Sequence, residues 1–102
     1  MDNITAEAVK ARLDAGEKLN LVDVREPHEH AEFNIGGLLL PLGKVQMLQV
    51  EEIEDLRNEE VICYCRSGQR SMMAGMMLEQ MGFAKVKNLT GGMLGWQQLY
   101  GK

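Results

Sequence analysis

Cys65 opens the run Cys65-Arg66-Ser67-Gly68-Gln69-Arg70-Ser71, which sets a thiol among two arginines, two serines and a glycine. The nucleophilic form of cysteine is the thiolate, and its abundance follows from the pKa. An unperturbed thiol is only about 3% ionised at pH 7. Lowering its pKa by two units makes it roughly three-quarters ionised. The run carries what such a shift requires. Backbone N–H groups of a tight loop and a helix start converge on negative charge, and Gly68 permits the positive φ that such a curl needs. Arg66 and Arg70 add permanent cations, while Ser67 and Ser71 add hydroxyl donors. The anion at the centre is the thiolate, a persulfide on it, or the charged end of a substrate. The competing reading is a small buried cysteine, which is what most cysteines are.

Other residues with chemical potential are weaker candidates. Cys63 stands two positions before Cys65, so strand alternation turns it to the same face. It reads as a buried strand residue rather than a resolving thiol, because adjacent same-strand positions give poor disulfide geometry. His28 and His30 form a His-x-His pair with no further Cys/His cluster, and read as a solvated turn rather than a metal site. Met72, Met73, Met76, Met77 and Met81 read as core filling rather than a copper cluster. Asp23 and Arg25 read as supporting residues, Asp23 fixing nearby loops and Arg25 pairing with an acidic side chain. Trp96 reads as packing the last helix onto the sheet.

The elements that must position these residues alternate between helix and strand. Thr5 is an N-cap for a helix reaching about Ala15, with Gly16 at its end. Leu19–Val24 is a short apolar strand and His28–Phe33 one helical turn. Leu38–Leu40 is a second buried strand ending at Pro41. Val45, Leu48, Ile53 and Leu56 predict a helix over Lys44–Leu56 that bends midway. Val61–Tyr64 is the strongest strand signal, Gln69–Met81 is a helix stopped by Gly82, and Lys85–Leu89 alternates as an edge or half-buried strand. Gly91-Gly92 turns into a last helix, Met93–Leu99. This alternation implies an α/β fold with a mostly parallel sheet and helices on both faces. Ligands then bind beyond the carboxyl ends of strands. Asp23-Val24-Arg25-Glu26 and Cys65–Ser71 both sit at such ends, so both are expected to line one site.

The 102 residues, 45% hydrophobic and 25% charged, predict one domain over 1–102 with a shallow pocket. A net charge of −4 argues against a nucleic-acid or anionic-membrane partner, although a local basic pocket is compatible with it. No signal peptide is visible at the N-terminus and no apolar run is long enough to span a bilayer. Two closely spaced cysteines are no disulfide framework, so a reducing cytoplasm is the expected compartment.

The Cys65–Ser71 run following an apolar strand resembles the active-site loop of the rhodanese-like domain family. Leu21–Pro27 resembles the family's early Asp-x-Arg strand end. Phe33–Leu42 resembles the segment that normally reads His-Ile-x-Gly-Ala and ends in an apolar-Pro strand, and Leu89–Trp96 resembles its closing Gly-Gly and tryptophan. Two departures stand out: Phe33-Asn34 replaces the family histidine, and Gly37 replaces the alanine. The resemblance covers about residues 3–100 and implies a rhodanese-like, five-stranded, mainly parallel sheet flanked by helices.

It also implies a cofactor-free sulfurtransferase of the thiosulfate type. The Cys65 thiolate attacks a small anionic sulfur donor, and a thiol, cyanide or a protein cysteine removes the sulfur from the resulting persulfide. Arg66 and Arg70 hold the donor's charged oxygens, and the amides from Arg66 to Ser71 stabilise the persulfide. The catalytic alternative is a phosphatase or arsenate reductase, which the related phosphatases carry out with Cys-x5-Arg. Only four residues separate Cys65 from Arg70, so the ring is one residue short for phosphate. The non-catalytic alternative is a docking or sulfur-carrier module, and docking versions of the domain often lose the cysteine kept here.

Overall fold

The computed structural model describes residues 1–102. Its elements, in chain order, are β1 (Asp2–Ile4), α1 (Ala6–Asp14), β2 (Leu21–Asp23), α2 (Pro27–Glu32), β3 (Leu38–Leu39), α3 (Leu42–Gln46), a 3-10 helix (Glu51–Leu56), β4 (Glu60–Tyr64), α4 (Gln69–Gln80), β5 (Lys85–Leu89) and α5 (Gly92–Tyr100). The five strands form one sheet in the order β1-β5-β4-β2-β3. Every pairing is parallel, so the expected mainly parallel sheet is parallel throughout.

Alternation along β4 divides the core between the two faces of the sheet. Val61, Cys63 and Cys65 join Val22, Val24, Leu40, Ile53 and Leu78 on the side covered by α3, the 3-10 helix and α4. Ile62 and Tyr64 join Val9, Leu21, Leu89, Met93 and Trp96 on the side covered by α1 and α5. A strand buried on both faces has no polar side to show, which is why VICY reads as a continuous apolar run. Trp96 is buried there, 6% exposed, on the last helix as expected.

Local signals set several element boundaries. The Thr5 hydroxyl accepts the Ala8 N–H at 3.1 Å and caps α1. Pro27 starts α2, where its missing N–H has no helical partner to lose.

Of the two alternatives for β5 the half-buried one holds, and the strand pairs with β4 on one side and β1 on the other. Three expectations need correction. The true edges are β1, for which the sequence gives no strand signal, and β3, whose Leu38 is exposed rather than buried. The helix over Lys44–Leu56 is broken, not bent, because Leu48 takes a left-handed φ of 61° between α3 and the 3-10 helix. Finally, Met72, Met73 and Met76 are 44%, 48% and 52% exposed. The face of α4 against the sheet is Ser71, Ala74, Gly75 and Leu78, small side chains that let the helix sit close. A Cβ on Gly75 would fall 3.2 Å from Val86 Cγ1 and closer still to the Met1 sulfur. Only Met77 and Met81 reach the rim of the core. Core filling therefore describes Met77 and Met81 but not Met72, Met73 and Met76.

Candidate active site

Cys65 follows the last residue of β4, and Gly68 stands immediately before α4 with φ 105°, the left-handed conformation expected of it. The chain therefore curls back over the sulfur. Cys65 Sγ accepts the Gly68 N–H at 3.1 Å, the Ser71 N–H at 3.3 Å and the Ser71 hydroxyl at 3.4 Å. Burial, the largest single influence, opposes ionisation of this thiol. The Ser71 hydroxyl and the N–H groups of Ser71, Gly68 and Ser67 together outweigh it, and the pKa lies below the ordinary thiol value. Cys63, on the same face, has burial without donors and is pushed up to about 12. It stays a neutral, buried strand residue.

The curl is held from outside by α5. The Met93 N–H donates to the Cys65 carbonyl at 2.8 Å and the Leu94 N–H to the Arg66 carbonyl at 2.9 Å. This approach depends on Gly92, at φ 54°, where an added Cβ would lie 2.4 Å from the Cys65 carbonyl oxygen. With its carbonyls turned out toward α5, the loop turns N–H groups inward.

Asn88 on β5 is a site residue absent from the sequence reading. It is 2% exposed; its Oδ1 accepts the Ser71 hydroxyl at 2.5 Å and its amide donates to the Gly68 carbonyl at 3.3 Å. The available signal was an asparagine sharing the inward side of an alternating strand with Val86.

Asp23 and Arg25 do not touch the sulfur. They pair with each other: Arg25 Nε and Nη2 donate to the two Asp23 carboxylate oxygens at 2.9 and 2.8 Å, and the Arg25 backbone N–H adds a third bond at 3.0 Å. Burial opposes the Arg25 charge most strongly, yet the Asp23 carboxylate keeps its pKa above the ordinary value. His30 Nδ1 lies 2.8 Å from the same Asp23 carboxylate, so this histidine is docked against the strand end rather than solvated. Arg25 also donates to the Phe33 carbonyl. Together these contacts fix α2 beside the loop. The glycine at position 37 fits its surroundings too, since a Cβ there would fall 2.7 Å from the Tyr64 ring.

Positioned in this way, α2 presents Glu29 to Arg70. The two make a bidentate pair, Nη1 to Oε1 at 2.7 Å and Nη2 to Oε2 at 2.9 Å. Hydrogen bonding from Arg70 is the main cause that holds the Glu29 carboxyl down to about 2. The role of Glu29 lay outside the sequence reading, because 41 residues separate the partners. Arg66, by contrast, is exposed and lines a cleft of about 280 Å³ between α2 and α5, together with Glu29, Phe33 and Leu94. Ser67 and Gln69 are exposed on the outside of the curl.

The chain matches the Rhodanese-like domain family over residues 5–99. It belongs to that family. A sulfurtransferase of Allochromatium vinosum is 36% identical over 97 residues, covering 94% of this chain and 88% of that protein. A Bacillus subtilis protein provisionally named the sulfur carrier protein YrkF is 39% identical over 94 residues, and this chain spans 49% of its length. The crystal structure of a Rhodanese-like domain protein from Staphylococcus aureus superposes with a TM-score of 0.83 at 29% identity, covering 94% of this chain and 91% of that one. The family and these relatives support sulfur transfer as the general activity. No helix is long and apolar enough to cross a membrane.

Proposed function

We propose that this rhodanese-like chain transfers a sulfane sulfur through a persulfide on Cys65. The observation that carries the proposal is the three-donor ring on Cys65 Sγ, from the Gly68 N–H, the Ser71 N–H and the Ser71 hydroxyl. These donors favour the thiolate over the thiol, and the thiolate is the attacking species. The Cys65 side chain is buried beneath a rim on which Arg66, Ser67 and Gln69 are exposed.

With thiosulfate, the thiolate attacks the outer sulfur, a new S–S bond forms, and the S–S bond of the donor breaks to release sulfite. The persulfide keeps one negative charge, and the same N–H groups that favoured the thiolate favour it. A thiol, cyanide or a protein cysteine then attacks the outer sulfur and returns the Cys65 thiolate. Arg66 and Arg70 bring positive charge to the incoming anion, while Asp23 and Arg25 support the α2 wall. A phosphoryl-transfer reading is disfavoured by a loop with four residues between Cys65 and Arg70.

Intact-mass spectrometry after incubation with thiosulfate, a polysulfide or glutathione persulfide tests the proposal. The protein gains the mass of one sulfur atom, and Cys65→Ala does not. Absence of that gain with all three donors refutes the reading.

A further inference from the structure

The arginines of this chain are unevenly engaged. Arg12, Arg25, Arg57 and Arg70 each hold a carboxylate, and of the five only Arg66 has no ion-pair partner. Arg70 therefore does not present an open fork to a ligand. One N–H of each Nη is committed to Glu29, the bidentate arrangement that a sulfonate-like oxyanion would itself seek. Glu29 is in turn held in place from its own helix, because its Oε1 also accepts the Glu26 N–H at 3.0 Å in a capping box. The carboxylate is thus fixed at this position by two elements, not resting on the surface.

The cleft beside the loop has a different character. Arg66 is its unpaired cation, since Arg25 and Lys102, which also line it, are paired with Asp23 and Glu32; Phe33, Met93 and Leu94 give it an apolar wall; and Glu29 on the α2 side is committed to Arg70. A compact dianion such as thiosulfate finds the Arg70 fork occupied by Glu29 and makes no use of the apolar wall. An organic persulfide brings a carbon body for the wall and a remote carboxylate for Arg66.

We propose that Glu29 is a specificity-determining residue which, by occupying Arg70, turns the site from thiosulfate toward low-molecular-weight organic persulfides. The inference rests on the persulfide reading of Cys65. In the favoured reaction the Cys65 thiolate attacks the outer sulfur of R–S–SH. The bond between the donor's two sulfurs breaks, Cys65 carries S–SH, and R–S⁻ leaves with the electron pair.

The test compares kcat/KM for thiosulfate and for glutathione persulfide, with cyanide as the acceptor. The wild-type protein favours glutathione persulfide. In Glu29→Gln the ratio of thiosulfate to glutathione persulfide rises about tenfold, chiefly through a lower KM for thiosulfate, as expected for freeing one charge-assisted bidentate site. Glutamine at this position can still complete the capping box. The gain disappears in Glu29→Gln/Arg70→Gln, because it acts through Arg70. A wild-type protein that prefers thiosulfate overturns the proposal irrespective of any variant. So does an unchanged ratio in Glu29→Gln, or a gain that survives in the double variant. A wild-type protein that takes sulfur from neither donor refutes sulfur transfer itself, an outcome distinct from the loss of this selectivity.

Discussion

At Cys65 the competition is between burial, which favours a neutral thiol, and a ring of donors, which favours the anion. The donors win only as a set. Ser71 is the most telling member, since its single hydroxyl proton lies within reach of both Cys65 Sγ and Asn88 Oδ1. The hydroxyl can turn to the sulfur when that atom is charged and to the amide oxygen when it is not. Ser71→Ala is therefore expected to raise the Cys65 pKa. Sulfur loading should rise with pH through the Cys65 titration, and in the variant this rise moves to higher pH. At neutral pH the loading rate falls roughly tenfold, the scale of one hydrogen bond to a charged group. Ultraviolet thiolate absorbance against pH, with Cys63→Ala as background, measures the shift directly. An unmoved midpoint would remove Ser71 from the account. Cys63 makes a useful contrast, two residues away on the same strand face with its pKa pushed up to about 12.

At the scale of elements, the loop is positioned by the start of α5 as well as by β4 and α4. Gly92 is the contact point, and its replacement by alanine sets a Cβ against two carbonyls of the loop, those of Cys65 and Arg66. Gly92→Ala should cost about 2 kcal/mol or more, since it adds overpacking to a left-handed φ. Gly16, also at positive φ but with nothing within 4 Å of an added Cβ, is the control. Gly16→Ala should cost only about 1 kcal/mol, the conformational part alone. Urea unfolding of both variants separates the terms, and equal losses would mean that the α5 contact contributes nothing. The same element scale explains what could be read in advance. The Gly91-Gly92 turn, the Gly68 curl and the Thr5 cap are written in neighbouring residues, and so was the apolar β4 run. β1 was not legible, because three residues with one buried side chain carry no period, and their strand state depends on β5 more than 80 residues later. The central place of β5 was hidden for the same reason. Glu29 could not be assigned to Arg70 because only the folding of α2 against the loop brings them together.

Across the whole molecule, two of the carboxylates that join distant parts of the chain are held at about 2. Glu29 ties α2 to α4 through Arg70. Glu60 ties β4 to α1 through Arg12, with Nη2 to Oε1 at 2.6 Å, and to β5 through Lys87 at 2.7 Å. For Glu60 the Arg12 hydrogen bond is the leading cause, opposed by burial and reinforced by Lys87. A carboxyl whose pKa is depressed by folding binds its proton more readily when the chain unfolds, so acid favours the unfolded chain. The stability these groups contribute is therefore fully present above their ordinary value of 4.5 and is lost as the pH falls toward about 2. Unfolding free energy measured in urea at a series of pH values should be nearly flat from pH 7 to about pH 5 and decline below that. Glu60→Gln should lower the plateau and shallow the decline, since glutamine neither pairs as an ion nor titrates. Glu29→Gln should do the same, and the two reductions in slope should add, because the pairs lie in separate parts of the fold and share no partner. A decline of unchanged steepness in the double variant would place the acid sensitivity elsewhere.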